Sequence, residues 1–539
     1  MRISRSPAIS LGAVLVAAAA WKALFLIWDV IPFNADEAVV ALMARHILQG
    51  ERPVFFYGQA YMGSLDAYLV AAGFLVFGQQ IWVIRLVQGI LYLGTLATTF
   101  LLARRAFDSD RAGLLAAAVL AIPTVNAALY TTASLGGYGE ALLLGNLILL
   151  VSVHLGRCAL PERRRETLPF FALWGLLAGL GLWVNGLTLV YSLPSALYLL
   201  FSIPRQAGDR AFAGMILCAA AGGILGAAPW WFYAAGSGWS RLVEELLGKA
   251  VSVETGSWIF QLGTHLVTFV LLGLTALFGF RPPWSVTWLA LPLLPFMLAF
   301  WMGVLVFGFR SLRSENWAYR REAWLLAGIP LVTAAGFLFT SFGADPSGRY
   351  FLPMMIPLAV AAAFLILKLS KKLWQVAALL GLVIVFQGWG TVQSAFAFPP
   401  GLTTQFYEPS IIDHRADADL IQFLREQGET RGYTNYWVAY PLAFRSAEDL
   451  VFIPRLPYHL DLRYTPRDDR SAPYTALVEQ SSRAAFITTR SPALDEHLVA
   501  EFNRLGVEWQ EAKIGDYHVF YHLSRVVPPV ELGLGEERP

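Results

Sequence analysis

The sequence predicts a polytopic α-helical membrane protein that ends in a small α/β domain outside the membrane. Three observations carry that prediction. The 539 residues are 56% hydrophobic and only 14% charged, with a mean hydropathy of +0.54, whereas a soluble protein is about 25% charged. Apolar runs of about 20 residues, the length a helix needs to cross a bilayer, recur along the chain. Past residue 395 the text turns mixed polar and apolar, so the chain divides into a membrane domain over 1–395 and a soluble domain over 396–539.

The first element begins with Arg2 and Arg5 and an apolar run over 8–29. Small residues at 17–20 would suit a cleaved signal. The apolar stretch continues through "WKALFLIW" past that point, so an uncleaved first helix is expected. Further spans are expected at about 80–103, 112–129, 139–156, 169–184, 187–203, 212–233, 287–309, 323–341, 350–368 and 373–390.

The basic turns test this arrangement. "RRAFDSDR" (104–111), "RCALPERRR" (157–165), "PRQAGDR" (204–210), "RSLRSENWAYRR" (310–321) and "KLSKK" (368–372) hold most of the Lys and Arg of the membrane half. Lys and Arg gather in cytoplasmic loops, which places all five inside. Residues 234–260 must then be outside and 310–321 inside, so an odd number of crossings separates them. Two apolar segments lie there, 262–280 and 286–309. The first is expected to be re-entrant or interfacial, because "RPPWS" (281–285) breaks the chain without a strong basic cluster. That leaves about eleven crossings, with the N-terminus inside and the C-terminus outside.

In the last domain, "IIDHRADADLIQFLREQG" reads as a helix. "RGYTNYWVAY", "DLVFIP", "AAFITTR" and "DYHVFYHL" read as strands. "SPALDEHLVAEFNRLG" reads as a helix with Ser491 as its N-cap and Gly506 as its stop. Alternating strands and helices imply an α/β fold. The two cysteines, Cys158 and Cys218, and the scattered histidines form no metal-ligand pattern. A net charge of +2 says little, and no nucleic-acid partner is expected.

On this topology, polar residues converge on the outer face. The first outer loop, 32–79, holds Asp36, Glu37 and Asp66. The turn "YTTASLGGYGEALLLGN" (130–146) holds Glu140, and "FGADPSGRYFLPMMIP" (342–357) holds Asp345, Arg349 and Tyr350. Each has an ordinary reading. "NADEAVVALMARHIL" looks helical from Asn34, and carboxylates favour a first turn. Glu140 can be the same, and Arg349 can be an interfacial anchor. Ionisable groups at membrane depth are nevertheless functional candidates. A carboxylate can take a proton from an attacking hydroxyl, and a guanidinium can hold a phosphate with paired hydrogen bonds.

The "DE" in the first outer loop, the acid at the start of the fourth helix and the "RY-x-x-P" run resemble the GT-C glycosyltransferases, including protein O-mannosyltransferases and lipid A aminoarabinose transferases. The likeness covers about residues 8–390, and "FFYGQAYMGSLDAYLVAA" (55–72) resembles the bacterial branch. The resemblance implies a GT-C membrane domain and a hexosyl- or pentosyl-type transferase. Its donor would be a polyprenyl-phosphate sugar, and its acceptor a hydroxyl on a glycan, lipid or protein. It implies Asp36 as catalytic base, Glu37 and Glu140 as acceptor-side or supporting acids, and Arg349 with Tyr350 at the donor phosphate. Relatives often carry Asp where this chain has Glu140, one methylene longer.

The implied reaction inverts the sugar on the extracytoplasmic face of the inner (plasma) membrane. No cofactor is certain. Asp36 and Glu37 can ligate a divalent cation, yet no third ligand is evident. Phe55, Phe56, Tyr57, Tyr61 and Tyr138 suit either sugar stacking or an interfacial aromatic belt. The alternative function is a transporter or flippase for a lipid-linked sugar, which would carry polar groups through the midplane and inverted repeats. Here the helix centres are clean.

Overall fold

In the computed structural model, residues 7–158, 164–202, 209–246, 256–396, 401–459, 461–535 and 537 are described. Parts of the basic turns 157–165 and 204–210, and part of 234–260, lie outside the described residues. The chain divides into two compact units, one of residues 1–28, 61–65 and 85–395, the other of 29–60, 66–84 and 396–539.

The first unit is a helical bundle. Nine helices among the described residues are long and apolar enough to cross a bilayer, and a pair bent by 59°, Phe212–Gly226 with Ala228–Gly236, makes a tenth if it is one span. Large side chains such as Val16, Leu217, Phe232, Phe296 and Leu331 stay exposed on these helices, as a lipid-facing surface requires.

One expected span is broken in two. Residues 112–129 split into Asp110–Ala121 and Val125–Tyr130. Pro123 drives Ile122 out of the helical region, to φ −114° and ψ 95°, and the Thr124 hydroxyl then caps the next helix at Ala127 N. Residues 187–203 form the apolar helix Gly186–Ser202, of the expected length though too short to count among the nine; Asn185 is extended and caps its first turn through Leu187 N at 2.9 Å. Conversely, the segment expected to be re-entrant forms Trp258–Leu277, which qualifies as a span by length and composition. A π-helical stretch, Thr268–Gly273, interrupts it.

The helices Arg164–Val184 and Asp209–Gly226 pack closely because glycine lines both sides. A Cβ on Gly175 would lie 1.9 Å from Ala219 O, and one on Gly226 would lie 2.2 Å from Leu176 O. Small residues let membrane helices approach until backbone meets backbone. Lys22 is buried inside the same unit. Its ammonium donates to Thr131 O and Oγ1 at 2.6 Å and to Thr132 Oγ1 at 2.7 Å, with the Tyr92 ring 4.5 Å away. Three donors thus meet three acceptors, which removes the penalty of an unsatisfied charge in an apolar interior.

The second unit contains a five-stranded sheet. Its strands are β1 (Arg431–Thr434), β2 (Val451–Pro454), β3 (Ala485–Thr489), β4 (Gln510–Ile514) and β5 (Tyr517–Tyr521). Their spatial order is β2-β1-β3-β5-β4. The first three are parallel, and β5 runs antiparallel to both β3 and β4. Helices Asp417–Gln427 and Tyr436–Arg445 cover a core that includes Leu420, Leu424, Val438, Leu442, Phe452, Ile487 and Val519. The sequence reading erred over "RGYTNYWVAY". Only Arg431–Thr434 is strand. Asn435 then accepts from Trp437 N at 3.0 Å and starts the helix Tyr436–Arg445, so a local cap overrides the β propensity of the aromatic run. The helix expected from Ser491 runs Pro492–Leu505 and stops at left-handed Gly506, but Ser491 makes no side-chain cap bond.

Residues 29–60 and 66–84, which include most of the first outer loop expected at 32–79, belong to this unit. Its helix Ala35–Gln49 packs on Tyr436–Arg445. Glu448 fastens the two together. It accepts from Arg45 at 3.2 Å, His46 at 2.9 Å and Tyr474 at 2.6 Å.

Candidate active site

Asp36 and Glu37 occupy the first turn of the helix Ala35–Gln49. Asn34 caps it by accepting from Asp36 N at 2.8 Å, as the sequence predicts for a helix beginning there. Glu37 is fully buried, while Asp36 is partly exposed. Asp36 Oδ1 accepts the hydroxyl hydrogen of Tyr436. Among the described residues, no hydrogen bond or ion pair engages Oδ2.

Further residues of the second unit lie near this carboxylate, and none of them was legible in the sequence. The Arg470 guanidinium lies 5.4 Å from the Tyr436 ring and 5.9 Å from the Phe56 ring. Gly58 makes room for that arginine, since a Cβ there would lie 2.9 Å from Arg470 Cδ. Asp468 is also close. Burial pushes its carboxyl up to about 7, against the pull of Arg470 and a Tyr458 hydrogen bond, and the charge of Asp36 pushes the same way. Burial, with the adjacent Asp36 charge, likewise raises the Tyr436 hydroxyl, so Tyr436 stays protonated and donates.

Glu140, Arg349 and Tyr350 lie in the first unit. Glu140 is buried in the first turn of the helix Tyr138–Cys158. Gly136 and Gly137 make the turn into that helix with φ of +98° and +79°, values that glycine adopts without cost. Asn185 fixes the turn by donating to Gly136 O at 3.0 Å.

Arg349 follows another left-handed glycine, Gly348, whose carbonyl accepts from Asn126 at 3.0 Å. Its guanidinium pairs with Asp345 at 2.6 Å and donates to the Tyr350 hydroxyl at 3.1 Å. Arg349 Nε is buried with no hydrogen-bond partner among the described residues. Arg281 holds this turn from behind. It donates to Pro346 O at 2.7 Å and also to Leu272 O, Pro282 O, Pro283 O and Ser285 O.

The helix Tyr138–Cys158 touches the turn Arg349–Met354. The first unit therefore holds the helix that begins near Glu140 and the Arg349 turn against each other. Phe55, Phe56 and Tyr138 are buried, so they do not form an exposed aromatic belt.

A divalent cation does not fit well. Among the described residues, no three His, Cys, Asp or Glu side chains are grouped as a metal requires.

The bundle of apolar spans with its mixed α/β unit is a fold shared with ArnT from Cupriavidus metallidurans. A family model described as dolichyl-phosphate-mannose-protein mannosyltransferase matches residues 64–233. The chain is similar to ArnT from Cupriavidus metallidurans bound to undecaprenyl phosphate, at 13% identity and a TM-score of 0.58, over 98% of this chain and 99% of that one. It is also similar to the oligosaccharyltransferase AglB from Archaeoglobus fulgidus in complex with an inhibitory peptide and a dolichol-phosphate. There the identity is 12% and the TM-score 0.53, over 91% of this chain and 70% of that one. A structure of the Archaeoglobus fulgidus enzyme with Zn and sulfate matches at 16% identity and a TM-score of 0.54, over 91% and 69%. No curated protein sequence matches the chain.

Proposed function

We propose that the chain is an inverting glycosyltransferase of the inner membrane. It moves a sugar from a polyprenyl-phosphate donor to an acceptor hydroxyl on the extracytoplasmic face. One observation carries the reading. Asp36 is a partly exposed carboxylate with one oxygen fixed by Tyr436 and the other open. A general base needs that arrangement, because the fixed oxygen sets the direction and the open one receives the proton. Support also comes from the mannosyltransferase family match and from the fold shared with enzymes crystallised with undecaprenyl phosphate and dolichol-phosphate.

The acceptor hydroxyl gives its proton to Asp36 Oδ2 as its oxygen attacks the anomeric carbon. The bond from that carbon to the phosphate oxygen breaks on the opposite face, and polyprenyl phosphate leaves with the bonding pair. Arg349 holds the phosphate. Its Nε–H is uncommitted, Asp345 orients the fork, and Tyr350 adds a hydroxyl beside it. Glu37 and Glu140 support the acceptor side. No step is routed through a metal.

The test is a donor panel. Purified protein is given polyprenyl-phosphate sugars one at a time, and release of the lipid phosphate is followed. Release from none of them, with the protein folded and an acceptor mixture present, would sink the proposal.

A further inference from the structure

In the second unit, β1 leads through the helix Tyr436–Arg445 to β2 on one side, while β3 leads through Pro492–Leu505 toward β4 and β5 on the other. Neighbouring parallel strands whose connections depart in opposite directions leave a crevice at their carboxyl ends, and α/β sheets bind ligands there. In this chain side chains tie the two strand ends together there. Asn435, just past β1, donates to Thr489 Oγ1 at the end of β3, at 2.7 Å. Thr434 Oγ1 donates to Ile487 O at 2.8 Å. The first helical residue after this clasp is Tyr436, and its hydroxyl reaches Asp36.

We infer that Tyr436 is a positioning residue for the base, so that the ligand end of the α/β sheet grips the chain's own carboxylate instead of a separate ligand. This rests on the assignment of Asp36 as the base. The Tyr436 ring is 2% exposed and cannot swing. Trp437 and Tyr440 meet it edge-on, at 4.9 and 5.4 Å between centroids, and Arg470 lies across it. A neighbouring clasp holds the arginine, because Tyr440 accepts from Arg470 N at 2.5 Å and donates to Asp468 O at 2.9 Å. The hydroxyl is therefore delivered at a fixed point, and it fixes the carboxylate plane. A hydrogen bond to a charged acceptor holds geometry well, and near-attack geometry is where a base gains or loses rate.

The experiment uses the full chain in detergent, with the donor that the panel identifies. Tyr436→Phe keeps the ring and deletes only the hydroxyl. The expected result is a kcat lower by about tenfold or more, the loss of one hydrogen bond to a charged group. Donor KM and affinity for undecaprenyl phosphate alone should stay within about twofold, because ground-state binding is untouched. Tyr517→Phe deletes a comparable hydroxyl from Asp417 in the same unit and should leave kcat unchanged. Wild-type kcat in Tyr436→Phe overturns the inference. So does a fall in kcat matched by lost lipid binding or lost folded protein, which would mark a merely structural tyrosine. The two readings fail differently. If Asp36→Asn keeps full turnover, the base assignment fails. If Asp36→Asn is inactive and Tyr436→Phe is fully active, only the positioning role fails.

Discussion

The Tyr436 hydroxyl donates to Asp36 Oδ1 across 400 residues of sequence. The only titratable side chain of the first helical turn that reaches the surface is thereby tied to the start of a helix in the α/β fold.

Asp36→Asn keeps the shape and the contact with Tyr436 but loses the basic oxygen. Sugar transfer should fall by about 10²–10⁴-fold, the usual worth of a general base. Protein level and membrane insertion should be unchanged. Lipid-phosphate release from the purified variant, beside an immunoblot of the membrane fraction, checks both.

Arg349→Lys keeps the positive charge and removes the fork. Lysine cannot pair with Asp345 and meet a phosphate at once in the same plane. Donor KM should rise by about tenfold, one to two charge-assisted hydrogen bonds, and Asp345→Asn should raise it less. Initial rates over a donor series measure the change.

Glu448 gives a pH signature. Burial raises its carboxyl, but hydrogen bonds from His46, Tyr474 and Arg45 outweigh that and hold it at about 2, below the ordinary 4.5. A depressed carboxyl stabilises the folded state above its unfolded value, and that stability is lost as pH falls through the folded one. Wild type should therefore lose stability relative to Glu448→Gln between about pH 4.5 and 2. Thermal unfolding of the two proteins across that range is the measurement.

Asp468 has the opposite sign. Its folded value of about 7 lies above the ordinary 3.8, so the folded state binds the extra proton. Stability should fall as pH rises from about 4 to about 7. Asp468→Asn should flatten that slope, as chemical unfolding at a series of pH values would reveal.

The glycine seam predicts its own failure. Gly175→Val forces a side chain against Ala219 O, and overpacking of this kind costs about 1–3 kcal/mol or more. Detergent-solubilised protein should unfold at lower temperature, whereas Gly12→Val, where a Cβ meets nothing within 4 Å, should behave as wild type.

Much of this was legible in the sequence, for physical reasons. The helix start at Asn34 was readable because a cap and first-turn acids are local signals. The Asp345–Arg349 pair was on the page as a four-residue spacing. The break at Pro123 was there too, hidden because the apolar run continues on both sides of it. Tyr436 was not readable. Its stretch carries strand-like aromatics, and its partner is chosen by tertiary folding. Arg470 and Asp468 sit in a polar run, "TPRDDRS", that looks like an exposed loop, yet both of these side chains are buried. No periodicity reports burial of that kind.

Arg281 spends most of its donors on main-chain oxygens, and each of those oxygens is present whatever residue occupies the position. The loop behind Arg349 is thus anchored by something that side-chain replacement does not erase. Losing the guanidinium of Arg281 removes all five of these bonds at once, whereas losing any one side chain at the accepting positions leaves its carbonyl in place.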